Sequence, residues 1–154
     1  MIDKYGHQGI FRIIKKNKGT GEIKTTEIFN AITDLALNKE INILVGTDPD
    51  MAIKYLAIGT SATTINNADI KLGTEIFRTQ FQSQVQTANN EITTEFTVLD
   101  SEAVATWQEL GVFCGSLATS TADSGTMLSR ILYTDTKTSL EEITIQRIDR
   151  IIRV

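Results

Sequence analysis

The chain has 154 residues, of which 41% are hydrophobic and 22% charged, with a formal net charge of −4. That length supports one hydrophobic core, and the composition excludes an intrinsically disordered chain. Acidic and basic residues are interspersed, which excludes the basic blocks that draw a protein onto nucleic acid, and no apolar run approaches the roughly 20 residues needed to cross a bilayer.

The single cysteine, Cys114, has no partner within the chain for a disulfide, so stability is expected from packing or from neighbouring subunits. The opening MIDKYGHQGIFRIIKK lacks the apolar segment and cleavage site of a signal peptide, which predicts synthesis and folding in a cytoplasm. Threonine and isoleucine are frequent, and β-branched side chains pack best on a pleated sheet. With one proline, Pro49, and no linker-like stretch, residues 1–154 read as one mainly β domain.

In chain order, Gly9 to Asn17 reads as a strand, Asn17-Lys18-Gly19-Thr20-Gly21 as a turn, and Glu22 to Phe29 as the returning strand of a hairpin. Between Ile32 and Val45, the spacing of Leu37, Ile41, Leu44 and Val45 predicts one short helix. Asn30 or Thr33 can cap its start and Gly46 its end. Asp48-Pro49-Asp50 is a loop, because the residue before proline is driven out of helical geometry. Ala52 to Ile58 is nearly all apolar, as in a strand covered on both faces, and Ser61 to Asp69 is a polar loop.

Glu75 to Val85 reads as one strand with Phe77, Thr79 and Phe81 on one side. After a turn at Ala88-Asn89-Asn90, Ile92 to Val98 alternates, with Ile92, Thr94, Phe96 and Val98 opposed to Thr93, Glu95 and Thr97. A further pair, Ala105 to Phe113 and Met127 to Thr134, is separated by GSLATSTADSG, a loop long enough to be mobile or held by a partner. The final EEITIQRIDRIIRV fits a strand at Ile143 and Ile145 and a helix at Ile145, Ile148 and Ile152. It is read as a strand with a bulge or change of environment near Gln146. The expected architecture is an antiparallel β-sandwich with an N-terminal β-hairpin and one short α-helix: hairpin and helix over 9–45, sandwich core over 51–146, and a C-terminal strand or arm over 141–154.

Residues with reactive chemistry are few. His7 is the only histidine, with no second histidine or cysteine pair at metal-ligand spacing, and Cys114 follows Val112 and Phe113 in an apolar run where a thiol acts as a small hydrophobe. Asp48 and Asp50 could hold Ca²⁺ but fit ordinary turn chemistry better. Gly59-Thr60-Ser61 lacks the glycines and lysine of a phosphate loop. Glu141 and Glu142 are sequence neighbours that a strand points to opposite faces, which defeats a glycosidase pair. Trp107, Tyr55 and Tyr133 could form a sugar-stacking platform, although half-buried strands more often use aromatics as core. No catalytic residue, metal site or cofactor is expected.

Arg147, Arg150 and Arg153 among isoleucines, and Lys15 and Lys16 near the first turn, have the composition of a contact surface. Glu75, Arg78, Glu109 and Arg130 are charges embedded in apolar strands, which predicts a structural glutamate–arginine network linking those strands.

Three stretches carry a resemblance. IKYLAIGTSATTINNADIKLGTEIFRTQ (Ile53 to Gln80), VATWQELGVFCG (Val104 to Gly115) and GTMLSRILY (Gly125 to Tyr133) resemble the strand motifs of a widespread family of phage tail-fibre-like and related virion proteins. Lys137 and the terminal ITIQRIDRI fit the remainder, and Gly9 to Val45 is similar to the N-terminal part of stand-alone members from phages of Gram-positive hosts. The resemblance implies a virion structural protein, at the tail tip, a fibre attachment or the capsid surface, made in the host cytoplasm. It implies contacts with other virion proteins and with copies of itself, and none with nucleic acid, membrane or a small molecule. The chain lacks a repetitive shaft, so a compact adaptor or decoration subunit fits its size. A carbohydrate-binding module is the alternative, and it would need an exposed platform built from Trp107 or the tyrosines.

Overall fold

A computed structural model describes residues 4–154; of the opening stretch, Met1 to Asp3 lie outside the described residues. Nine strands and one helix follow one another as β1 (Tyr5–Asn17), β2 (Ile23–Asn30), α1 (Asp34–Val45), β3 (Ile53–Gly59), β4 (Glu75–Gln80), β5 (Ser83–Ala88), β6 (Glu91–Val98), β7 (Thr106–Cys114), β8 (Thr126–Thr136) and β9 (Glu141–Arg153). They form two antiparallel sheets, one ordered β2-β1-β9-β6-β5 and the other β4-β3-β7-β8. The main core lies between them. Phe11, Ile13, Phe96, Val98, Ile143 and Ile145 of the first sheet meet Leu56, Ile58, Trp107, Leu110, Val112, Leu128 and Ile131 of the second.

The predicted β-sandwich with its hairpin and single helix is the observed fold. Local chemistry explains its best-defined parts. Thr33 caps α1 by accepting a hydrogen bond from the Ala36 amide at 3.2 Å, and its hydroxyl donates to the Met127 carbonyl at 2.5 Å, which ties the helix start to β8. Gly46 ends the helix at φ 79, a left-handed conformation that costs glycine nothing.

Three expectations are corrected. The stretch from Glu75 to Val85 is two strands in different sheets: β4 pairs with β3, the chain crosses the sandwich at Phe81-Gln82, and β5 pairs with β6. β9 is a regular strand with no bulge at Gln146, in unbroken register with β1 from Tyr5↔Arg153 to Asn17↔Glu141; only its environment changes there, from the apolar Ile145 to the buried Arg147. Its helix-like isoleucine spacing arises because Ile143 and Ile145 face the core whereas Ile148 and Ile152 occupy the opposite face. The loop after Cys114 is held by its own chain, in the manner described below.

The outer face of the second sheet is also covered. Tyr55, Ala57, Phe113 and Met127 make a second apolar cluster with Leu72 and Ala118, which come from the 60–74 and 115–125 loops. β3 is therefore buried on both faces, and its burial is continuous from Tyr55 to Gly59. No helix among the described residues is long and apolar enough to cross a membrane.

Candidate functional site

Two buried ion pairs clamp the two loops onto the second sheet. Glu109 is fully buried, and its carboxylate accepts hydrogen bonds from the backbone amides of Ser61 (3.3 Å), Gly73 (3.0 Å) and Thr74 (2.9 Å) and from Nε of Arg130 (2.7 Å). Arg130 also donates to Asp69 (2.8 Å) and to the Thr63 carbonyl (2.9 Å), so one guanidinium gathers both halves of the 60–74 loop. Gly59 is glycine because the Glu109 side chain and the Thr74 carbonyl lie where its Cβ would stand.

The second clamp is Glu75 with Arg78, at 2.7 Å and 3.0 Å. In a regular strand, residues three apart face opposite sides. Here the register between β3 and β4 shifts, pairing Ile58 with Phe77 but Gly59 with Glu75, and this bulge at Ile76 puts both charges on the outer face. Arg78 stacks over Phe113 at 4.2 Å and donates to the carbonyls of Thr119 (3.1 Å) and Ser124 (2.8 Å), while Glu75 accepts from the Asp123 amide (3.0 Å). Glu75, Arg78, Glu109 and Arg130 thus form two separate clamps that each fix one loop. The three stretches that carry the sequence resemblance coincide with β3, β4, β7 and β8, the whole of this sheet.

At one open end of the sandwich the core turns ionic. Arg147 is fully buried, so this member of the expected contact surface is an internal strut: it pairs with Asp149 at 2.7 Å, lies 4.9 Å over the Phe11 ring and donates to Asn30 at 2.5 Å. Its direction follows from strand parity, since Arg147 and Asp149 share the inward face of β9 with Ile143 and Ile145.

His7 joins the same cluster. Nε2 lies 2.8 Å from Asp149 and Nδ1 lies 2.6 Å from Glu40 of α1. Two carboxylates can both accept only if both ring nitrogens donate, so this geometry calls for the imidazolium. Burial alone would lower the His7 pKa, but the bonds to Asp149 and Glu40 outweigh it and hold it above the usual histidine value. The sequence offered a signal for Asp149, two residues from Arg147 on one strand face, and none for Glu40, which reaches His7 across the fold. Beside the cluster is a cleft of about 410 Å³ bordered by His7, Ile53, Gln86, Asn90 and Ile92.

The other basic residues divide. Lys15 closes the opposite end of the sandwich on Asp135 (2.9 Å) and Glu141 (3.3 Å). Lys16 and Arg153 are exposed, and Arg150 pairs with Glu91 on the outer face of the first sheet. Asp48 binds Lys39, and Asp50 accepts from the Ala52 amide at 3.1 Å in its own loop. Lys137 is buried and its ammonium donates to the Asp100 carbonyl at 2.8 Å, with burial lowering its pKa.

Trp107 is fully buried and its indole donates to the Ala103 carbonyl at 2.8 Å, and Tyr55 and Tyr133 are buried too, so none of the three offers a face to a sugar. Cys114 is sealed in the core, and burial pushes its thiol pKa up to about 11.

Among the exposed apolar side chains, which include Phe29 and Leu117, four lie on one face of α1. Leu37, Ile41, Leu44 and Val45 are 47%, 55%, 73% and 68% exposed, whereas Ala36 is buried and Lys39 and Glu40 are turned toward the body by their bonds to Asp48 and His7. A surface helix ordinarily does the reverse.

Sheet order, two loop clamps and an outward apolar helix define the chain as a two-sheet antiparallel sandwich with a second, loop-covered layer. Comparison with protein-family models, with curated proteins and with solved structures found no match for this chain.

Proposed function

We propose that this chain is a structural protein of a bacteriophage particle, a compact tail or baseplate adaptor or a capsid decoration subunit, made in the host cytoplasm and working through contacts with other virion proteins and with copies of itself. The observation that carries this reading is the outward apolar face of α1, since exposed contiguous apolar surface of this kind marks an interaction site. The polar groups best suited to chemistry are already engaged: both nitrogens of His7 are hydrogen-bonded, Glu109 accepts from four donors, and the Cys114 thiol is kept protonated by burial. The resemblance of Ile53 to Gln80, Val104 to Gly115 and Gly125 to Tyr133 to virion proteins supplies the particle, and all three stretches belong to one sheet.

The test is direct. Mass spectrometry of gradient-purified particles of the encoding phage should detect the chain at stoichiometric abundance, and immunogold labelling should place it on the head or at one end of the tail. Absence from purified particles refutes the assignment.

A further inference from the structure

We infer that the bond between His7 and Glu40 is a proton-operated catch, which fastens the last two turns of α1 to the first sheet and releases them when the imidazole gives up its second proton. The inference concerns the fold alone and stands apart from the virion reading. It begins from how little else holds this part of the helix. Thr33 anchors the start, its amide donating to the Leu128 carbonyl at 3.0 Å and its hydroxyl to the Met127 carbonyl, and Ala36 is buried. From Leu37 to Val45 no residue is buried, and only Lys39, Glu40 and Asn42 are half-buried. Lys39 bonds to Asp48 and to the Asp50 carbonyl (3.2 Å), but both belong to the segment that follows the helix and moves with it. That segment is next tied to a sheet at Ala52, whose carbonyl accepts from the Gly115 amide at 3.0 Å. Among the described residues, Glu40 to His7 is therefore the one side-chain hydrogen bond that joins α1, beyond its first turn, to a strand.

A neutral imidazole has a single N–H and can serve only one of its two carboxylates. Asp149 is 7% exposed and cannot turn into water, so a bare ring nitrogen there would set a lone pair against a buried charge; the Glu40 side chain is 26% exposed and can rotate outward. The remaining proton stays on Nε2 toward Asp149, and Nδ1 then presents a lone pair to Glu40. The bond that breaks is the one to the helix. The charged and titratable groups around the ring are Asp149 and its partner Arg147 on β9, Glu40 on α1, Lys39 with Asp48 and Asp50 beside it, Glu91 with Arg150 at the rim of the cleft, and the exposed Tyr5 on the same face of β1. Of these residue types only histidine ordinarily changes charge between pH 5 and 8. Its two carboxylate bonds hold the His7 pKa above the usual value, so the catch is closed in acid and opens as pH rises past that point. Leu37, Ile41, Leu44 and Val45 ride on the released turns, so pH sets whether this apolar stripe is held in one place or swings about Thr33.

The test is hydrogen exchange of the full chain, expressed as protection factors so that the pH dependence of exchange itself is divided out. Protection of Leu37 to Val45 should fall at least about tenfold as pH is raised through the midpoint of the imidazole titration, the worth of one hydrogen bond to a charged group. Ile92 to Val98 of β6 and the fluorescence of Trp107 should change little over the same range. Glu40→Ala should give the low protection at every pH, with no step, and should keep its helical circular dichroism because alanine favours helix at least as strongly as glutamate. A nitroxide on Leu44→Cys reports the same event independently, since Leu44 is 73% exposed and the buried Cys114 does not compete for the label. Its spectrum should turn from restricted to mobile at the imidazole midpoint, and should be mobile throughout when Glu40→Ala is added.

Protection of α1 that stays level through the imidazole titration overturns the catch, as does a step that survives in Glu40→Ala. A loss shared equally by β6 also overturns it, because the proton then acts on the whole fold and not on the helix.

Discussion

Replacing Glu109 with alanine removes one side chain and four hydrogen bonds: those from the Ser61, Gly73 and Thr74 amides and from Arg130. Glu109 is fully buried and Arg130 is 3% exposed, so Arg130 is left inside the protein with only Asp69 and the Thr63 carbonyl. Three loop amides lose this acceptor and Arg130 loses one of its two carboxylate partners, which together cost about 3–5 kcal/mol. Replacing Arg130 instead leaves the carboxylate with its three backbone donors and returns Asp69 to solvent, so this loss is smaller, about 2–3 kcal/mol. The order Glu109→Ala worse than Arg130→Ala follows from where the remaining partners are.

Urea unfolding read by the fluorescence of Trp107, the only tryptophan and fully buried, measures both. At this chain length the larger loss lowers the melting temperature by roughly 10 °C. Hydrogen exchange of the Gly73 and Thr74 amides should accelerate in Glu109→Ala well beyond the change in global stability. A cost for Glu109→Ala below about 1 kcal/mol, or a larger cost for Arg130→Ala, would show that the loop is not held by this carboxylate.

Two further outcomes follow from the ionic end of the core and from the buried thiol. Because the folded pKa of His7 is raised above 6.5, its contribution to stability is complete below pH 6.5 and fades as pH rises through the folded value; Asp149, whose pKa is lowered, contributes above pH 3.8 and fades as pH falls. The imidazole signals of the sole histidine should titrate with a midpoint above 6.5, and the deficit of His7→Gln should be largest near pH 5 and shrink toward pH 8; a midpoint at or below 6.5 contradicts the double hydrogen bond. Cys114 should resist a thiol reagent at pH 8 in native buffer and react at once in urea. Full reaction of the native chain at the rate of a free thiol would place it outside the core.

The parts of the fold legible in the sequence are those fixed by neighbouring residues. Thr33 and Gly46 cap a helix wherever it packs, and the alternation from Ile92 to Val98 sets the two faces of β6 without reference to any other strand. The crossing between β4 and β5 was hidden because the period of two continues through Phe77, Thr79 and Phe81 while the chain changes sheets. Periodicity located the apolar stripe of α1 but not its direction, which is set by Glu40 finding His7 in a distant strand and by Lys39 finding Asp48 in the loop just past the helix. The pairing of Glu75 with Arg78 was concealed for a related reason, since it depends on a bulge at Ile76. Arg147, Arg150 and Arg153 looked alike because isoleucines occupy both faces of β9; the inward parity of Ile143 and Ile145 separates Arg147 from Arg150, and Arg153, of the same parity as Arg147, is exposed because it stands at the end of the strand.

The place of β9 bears on how the molecule is made. β1 and β2 can zip together early, and so can β5 and β6, but β9 lies between these two hairpins and is synthesised after both. Until it arrives, both hairpins present unpaired backbone along an inner edge, the state most prone to stick to other chains. Joining Tyr5 to Arg153 closes a very long loop, so refolding is expected to be slow, and a nascent chain stalled before Glu141 lacks the strand that joins the two hairpins of the first sheet.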